Sequence, residues 1–170
     1  MKKLLVANWK MNPDSLGRAV LLAKKVDAGS PKGKNIEVVI APPFPFLAGV
    51  GKAIRRAKLG AQDVFWEDAG AYTGEVSPMM LKNLGVEYVI IGHSERRKFL
   101  HETDEMINKK VLASLKAGLK VILCVGEPER ATRDMRQGIK EAKNFIKEQL
   151  RKDLKGISKS HVANPMSLVV

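Results

Sequence analysis

Tyr88-Val89-Ile90-Ile91-Gly92-His93-Ser94-Glu95-Arg96-Arg97 decides the fold. Four consecutive apolar residues, three of them β-branched, read as a strand buried on both faces. Glycine stops the run, and Ser94 behind it is suited to cap a short helix through Arg97. A buried strand giving way at once to a helix is one βα unit. The same segment sets an imidazole, a carboxylate and two guanidinium groups at the strand's mouth. A strand end beside a helix N-terminus suits a polarised, anionic small molecule.

The same alternation continues on both sides of this segment. Strands are expected at Leu4–Trp9, Ile36–Ala41, Leu59–Val64, Val121–Val125 and, as a last fragment, Leu168–Val170. Helices are expected near Leu16–Asp27, with Asn12, Asp14 or Ser15 as cap, and over Phe46–Ala57, Pro78–Leu84 and Asp134–Leu154. The clearest helix is Asp104–Ala117. Thr103 caps it, two acids occupy its first turn and Gly118 ends it. Strands alternating with helices imply βαβ units and a parallel sheet covered by helices. No linker or low-complexity stretch divides the chain, so residues 1–170 read as one domain. Asp68–Glu75 is too long for a tight turn and reads as a projecting loop, the kind that binds something.

Composition narrows the function. At 170 residues the chain has about one domain's length and can bury an ordinary core. No apolar run approaches the ~20 residues of a membrane span, and Asn8 and Lys10 break up the N-terminal stretch, against a signal peptide. The single cysteine, Cys124, rules out an intrachain disulfide and points to a reducing, cytoplasmic setting. A net charge of +12 invites a nucleic-acid reading. The basic residues are spread among acids, however. Their densest stripe, Lys140, Lys143, Lys147 and Arg151, has no interleaved aromatic, so a solvated helix face is the better reading and nucleic acid the weaker one.

In parallel α/β architectures ligands sit at the C-terminal strand ends. The first strand ends in Asn8 and Lys10, two apart and so on a shared face. Lys10 either meets a phosphate or carbonyl oxygen or snorkels past the strand end to water. His93 and Glu95 have the same spacing. His93 suits a general acid, an electrophile bonded to a carbonyl oxygen, or a hydrogen-bonded structural residue. Glu95 suits a base or, preferably, the counter-charge that an inward lysine needs. Cys124 reads as buried and inert, Glu127 as an ion-pair partner, Gln62 and Asp63 as packing and hydrogen-bonding residues. His101 and His161 read as surface residues.

Ala-Asn-Trp-Lys-Met-Asn at 7–12, Gly-His-Ser-Glu-Arg-Arg at 92–97 and Cys-Val-Gly-Glu at 124–127 together closely resemble the triosephosphate isomerase family, in its order and at about its spacing. Gly70–Pro78 resembles that family's third loop, which reaches into a neighbouring subunit. The resemblance implies a TIM (β/α)8-type barrel, here five βα units and a partial sixth strand. It also implies a homo-oligomer with Thr73 and Glu75 at the subunit contact, a small phosphorylated sugar as substrate, and no cofactor or metal. Asn8 and Lys10 would then contact substrate, His93 would polarise its carbonyl, and Glu95 would support Lys10.

A complete family member has eight βα units in about 250 residues. The sequence stops about where the resemblance places the Tyr-Glu-Pro segment whose glutamate takes the substrate proton. The lid and the phosphate-binding loops would come later still. Isomerisation near background is therefore expected of these residues alone, and so is an exposed strand edge that pairs with another chain. The alternative is a noncatalytic, shortened barrel acting as a self-associating structural or polyanion-binding module.

Overall fold

The structure is a computed structural model describing residues 3–31, 33, 35–127, 135–158 and 167–169. His161 and Val170 lie outside the described residues. Contacts divide the chain into two compact units, Met1–Val89 and Ile90–Val170.

The first unit holds β1 (Lys3–Asn8), α1 (Leu16–Gly29), β2 (Ile36–Ala41), a 3-10 turn (Phe44–Phe46), α2 (Leu47–Ala53), β3 (Lys58–Ala61) and α3 (Pro78–Asn83), and it reaches into β4 (Tyr88–Ile91). The strands pair in parallel and in chain order. Leu5 lies opposite Val38, Ile40 opposite Leu59, and Ala61 opposite Val89. Strand β2 is buried from Glu37 to Ala41: its apolar run Val38–Ala41 requires this when both faces are covered, and Glu37 accepts a hydrogen bond from the Tyr88 hydroxyl. Strand β1 departs from that expectation, since Leu5 is 59% exposed. Among the described residues of this unit β1 pairs only with β2, which leaves its other edge and part of its face open. Helices α1 and α2 approach closely because position 49 has no side chain. A Cβ on Gly49 would lie 2.4 Å from Leu16 Cδ1.

The second unit begins with the end of β4 and continues through α4 (Ser94–Phe99), α5 (Asp104–Lys116), β5 (Lys120–Cys124), α6 (Met135–Asp153) and β6 (Ser167–Val169). Strands β5 and β6 are parallel, with Leu123 opposite Leu168. Helix α5 packs on both β5 and α6. It begins as its sequence requires, with Thr103 Oγ1 accepting from the Met106 amide at 3.3 Å. Ile107, Val111 and Leu115, at spacings of four, are its buried stripe. Strands and helices alternate through five βα units to a sixth strand, so the fold is an incomplete TIM (β/α)8-type barrel.

One local expectation is corrected, and another is decided among its alternatives. The helix after β2 stops at Ala53 rather than running to residue 57. Asp27, at the end of α1, takes the amides of Arg55, Arg56 and Ala57 at 3.1, 2.7 and 2.7 Å, and these are then held by a carboxylate instead of a helical turn. The cap of α1 is Ser15, but its side chain makes no capping bond, and Asp14 instead pairs with exposed Arg18.

Burial pushes the Asp27 carboxyl up, yet the Ala57, Arg56 and Arg55 amides and the nearby Arg56 charge outweigh it and hold the group below its ordinary value. A lowered carboxyl stabilises the fold above its unfolded pKa and loses that contribution as pH falls through the folded one. Asp27→Asn is therefore expected to cost about 2 kcal/mol at pH 7, the scale of hydrogen bonds to a charged group. The gap from wild type should shrink below about pH 4, the ordinary range of an aspartate. Urea unfolding at both pH values checks this. An equal gap at both would contradict it.

Candidate active site

The sequence-selected residues fall into two groups, one in each unit. In the first unit Asn8 is the last residue of β1, and the parallel ladder continues one step further as the Trp9 amide donates to Ala41 O at 3.1 Å. Lys10 has already left the strand, with φ at +54°. The shared-face argument for Asn8 and Lys10 therefore fails, because period-two alternation ends with the strand. They are joined by a hydrogen bond instead, the Lys10 amide donating to Asn8 Oδ1 at 3.0 Å. Gln62, just past β3, locks the turn from the other side. Its Nε2 donates to Lys10 O at 2.9 Å and to Ala41 O at 2.8 Å. The expected hydrogen-bonding role of Gln62 is met, and its target is the backbone of the lysine itself.

Thr73 and Glu75 lie in the same unit, in the exposed loop that follows β3. The Phe65 amide donates to Val76 O at 2.9 Å and closes the base of this loop. Tyr72 folds back so that its ring centroid is 4.7 Å from that of Phe65, which stacks on Trp66 at 4.1 Å. The projecting loop thus has an internal aromatic anchor, with Thr73 and Glu75 at its exposed end.

In the second unit β4 ends at a glycine because the chain needs one there. Gly92 has φ at +76°, and a Cβ would lie 3.1 Å from both Arg97 Nη2 and Cys124 O. The cap of α4 is His93, not Ser94 as the sequence suggested. His93 and Glu95 meet through this cap rather than through strand alternation. The Glu95 amide donates to His93 Nδ1 at 3.3 Å. Glu95 Oε2 is 3.4 Å from the same nitrogen, which would be an ion pair only if Nδ1 carried a proton. The amide always carries its hydrogen, so the lone pair belongs on Nδ1 and the ring proton on Nε2. The imidazole then offers an N–H donor on the side away from the helix.

Three further groups steady this segment; local sequence reasoning placed the Arg97 guanidinium at the strand's mouth but found none of the partners. Arg97 donates through Nε to Gly92 O at 2.9 Å, through Nη1 to Asp104 Oδ1 at 2.6 Å and through Nη2 to Asp153 Oδ2 at 2.7 Å. Glu102, with a side chain 2% exposed, accepts through one oxygen from Arg96 at 2.7 Å and from Lys110 at 2.5 Å. Gln149 of α6 accepts from the Gly126 amide at 2.9 Å and so fixes the end of β5. Burial pushes the Asp153 carboxyl up to about 6 against the pull of Arg97, and neighbouring Asp104 adds to the rise. Burial likewise raises the Cys124 thiol, with Arg97 pulling the other way, which agrees with an inert cysteine. A cavity of about 720 Å³ opens beside these groups, lined among others by Ser94, Arg97, Thr103, Gly126, Phe145 and Gln149.

Parallel strands each followed by a helix define a fold of the α/β-barrel class. The comparisons are more specific. The triosephosphate isomerase family model matches residues 3–169. The triosephosphate isomerase of Thermoanaerobacter pseudethanolicus is 46% identical over 167 residues, covering 96% of this chain and 64% of the relative. That of Thermodesulfovibrio yellowstonii is 53% identical over 129 residues, covering 74% and 52%. That of Dictyoglomus thermophilum is 42% identical over 164 residues, covering 95% and 63%. The chain belongs to the triosephosphate isomerase family. The matches span from about half to a little under two thirds of the length of these relatives.

A left-handed backbone strains any residue with a Cβ, and glycine relieves the strain. Lys10→Gly is expected to stabilise the chain by about 1 kcal/mol, or ~2–4 °C in Tm at this size. A calorimetric scan of both proteins checks it. A fall in Tm would mean that side-chain contacts of Lys10 outweigh the strain.

Proposed function

We propose that this chain carries one side of an isomerase site that interconverts dihydroxyacetone phosphate and glyceraldehyde 3-phosphate. The observation that carries the reading is the amide-to-imidazole bond from Glu95 to His93 Nδ1, which leaves Nε2–H free to donate to a substrate carbonyl. A neutral histidine at a helix N-terminus, acting as electrophile, is the behaviour known of triosephosphate isomerases themselves. In this reading His93 polarises the carbonyl and stabilises the negative charge that grows on its oxygen as the neighbouring carbon loses a proton. Asn8 and Lys10 bind the substrate, with Lys10 facing its anionic end, and Glu95 supports Lys10. The strained, doubly hydrogen-bonded turn at Lys10 supports a binding role, since such strain collects where a side chain must be aimed.

Isomerisation also needs an acceptor for the proton on the neighbouring carbon. None of the carboxylates in these segments matches that role by family resemblance, so the 170 residues by themselves should turn over substrate near background. The assembly is a cytoplasmic homo-oligomer with Thr73 and Glu75 at the subunit contact. The exposed loop and its aromatic anchor support this placement. Among the described residues no helix is long and apolar enough to cross a membrane.

The test is a fusion of residues 1–169 to the final third of the Thermoanaerobacter pseudethanolicus relative. The fusion should interconvert the two triose phosphates in a coupled assay, while the chain alone stays at background. His93→Gln in the fusion should lower kcat by ~10²–10⁴, the usual worth of a positioned acid–base group. A folded but inactive fusion, or the full rate from the chain alone, would overturn the proposal. Salt-sensitive binding of unrelated DNA together with an inactive fusion would favour the polyanion-binding alternative.

A further inference from the structure

We propose that Arg97 is a positioning residue for His93, and that Asp104 and Asp153 hold it in that role from the ends of two other helices. The inference rests on the reading of His93 as the group that faces the substrate carbonyl.

The geometry is that of one planar cation with three fixed targets. Nε meets Gly92 O at 2.9 Å, Nη1 meets Asp104 at the start of α5, and Nη2 meets Asp153 at the end of α6. The Gly92 carbonyl belongs to the peptide plane that contains the His93 amide, so holding the oxygen orients the backbone that carries the imidazole. The turn tolerates little else, because Gly92 is left-handed and its vacant Cβ position lies against Arg97 and Cys124 O. A lysine would supply the charge without the fork, since one ammonium cannot reach three divergent acceptors in a plane.

The carboxylates do more than neutralise the guanidinium. The Asp153 side chain is fully buried, and its Oδ1 has no hydrogen-bond partner among the described residues. The charged and titratable groups around Arg97 and its two carboxylates can be named element by element. Helix α4 supplies Arg97, and helix α5 supplies Asp104 and the neutral Asn108, which donates to Asp153 O at 2.9 Å. Helix α6 supplies Lys152, 3.5 Å from Asp104 Oδ2, and β5 supplies Cys124, within the field of Arg97. Two carboxylates thus share one guanidinium, and a proton on Asp153 would relieve both the orphaned oxygen and the repulsion from Asp104. With its carboxyl raised to about 6, Asp153 accepts that proton in mild acid and exchanges an ionic hold on Arg97 for a neutral one. The sign for stability follows. The folded chain binds more protons than the unfolded one between about pH 4 and 6, so this group's contribution falls as pH rises through that window.

The test uses the 170-residue chain, labelled with 13C and 15N and followed by NMR from pH 4.5 to 8. The Gly92 carbonyl and His93 amide resonances should show a titration step near 6, set by Asp153. Asp153→Asn should abolish that step. His93→Gln should keep it at Gly92, which separates it from titration of the ring. Arg97→Lys should shift the Gly92 carbonyl and the 15N resonances of the His93 ring. Arg96→Lys, on the same helix but bonded through its side chain to Glu102, should leave them in place even if it lowers Tm. A step that survives Asp153→Asn, or Gly92 and His93 resonances unmoved by Arg97→Lys in a folded chain, would overturn the proposal. If Arg97→Lys does not fold, the wild-type and Asp153→Asn titrations decide alone. An inactive fusion protein with the clamp intact would sink the isomerase reading and leave the clamp standing.

Discussion

The hydrogen bond from Arg97 to the Gly92 carbonyl is the constraint on which the second half of the molecule depends. It sits where an apolar strand must become a polar helix within one residue. Buried Ile90 and Ile91 fix one side of this junction. The left-handed glycine turns the chain, and the guanidinium stops the turn from relaxing. Breaking such a contact is costly chiefly because of what it strands. Asp153 would be left buried beside another carboxylate without its guanidinium partner. The same arrangement that aims His93 therefore ties the ends of α5 and α6 to the strand end, and local geometry and packing cannot be altered separately.

The first unit solves an analogous problem with neutral groups. Its turn after β1 is also left-handed, but at a lysine, and amide and carbonyl bonds to Asn8 and Gln62 hold it. In both units the backbone at or beside a candidate site residue is left-handed, strained at Lys10 and unstrained at Gly92, and side chains from distant sequence fix it there. Hydrogen bonds to Gln62 and ion pairs to Asp153 bridge separations of 52 and 56 residues. Preorganisation of this kind is what a site needs if its donors are to be in place before substrate arrives.

Much of the fold is legible in the sequence, for a definite reason. Strand β2 and helix α5 carry unbroken apolar or amphipathic patterns with a clear cap, and local physics fixes them. The chemistry-bearing residues are legible because their types are unusual for a strand end. The geometry joining them is not. Asn8 with Lys10, and His93 with Glu95, were paired by strand alternation, yet each pair is held by a hydrogen bond in a turn. His93 displaces Ser94 as the cap because its Nδ1 reaches the Glu95 amide, which no propensity scale anticipates. Helix α2 ends early because a carboxylate 28 to 30 residues away claims the amides that would continue it. Arg97, Glu102, Gln149 and Asp153 were invisible as a set, since their meaning lies in partners that only the folded chain brings near. The exposure of Leu5 on β1 has the same origin, because whether a strand face is covered depends on neighbours its own pattern does not name.

The central claim is that both turns bearing the site residues are already formed in these 170 residues. Hydrogen–deuterium exchange with mass spectrometry tests this most directly, because it reads backbone order segment by segment without any need for activity. Peptides spanning 88–97 and 104–116 should be protected for as long as the buried strand 36–41, and the amide of Lys10 should exchange far more slowly than those of the exposed loop 67–75. Exchange of the Gly92–Arg97 segment within seconds, while strand 36–41 stays protected, would contradict the account.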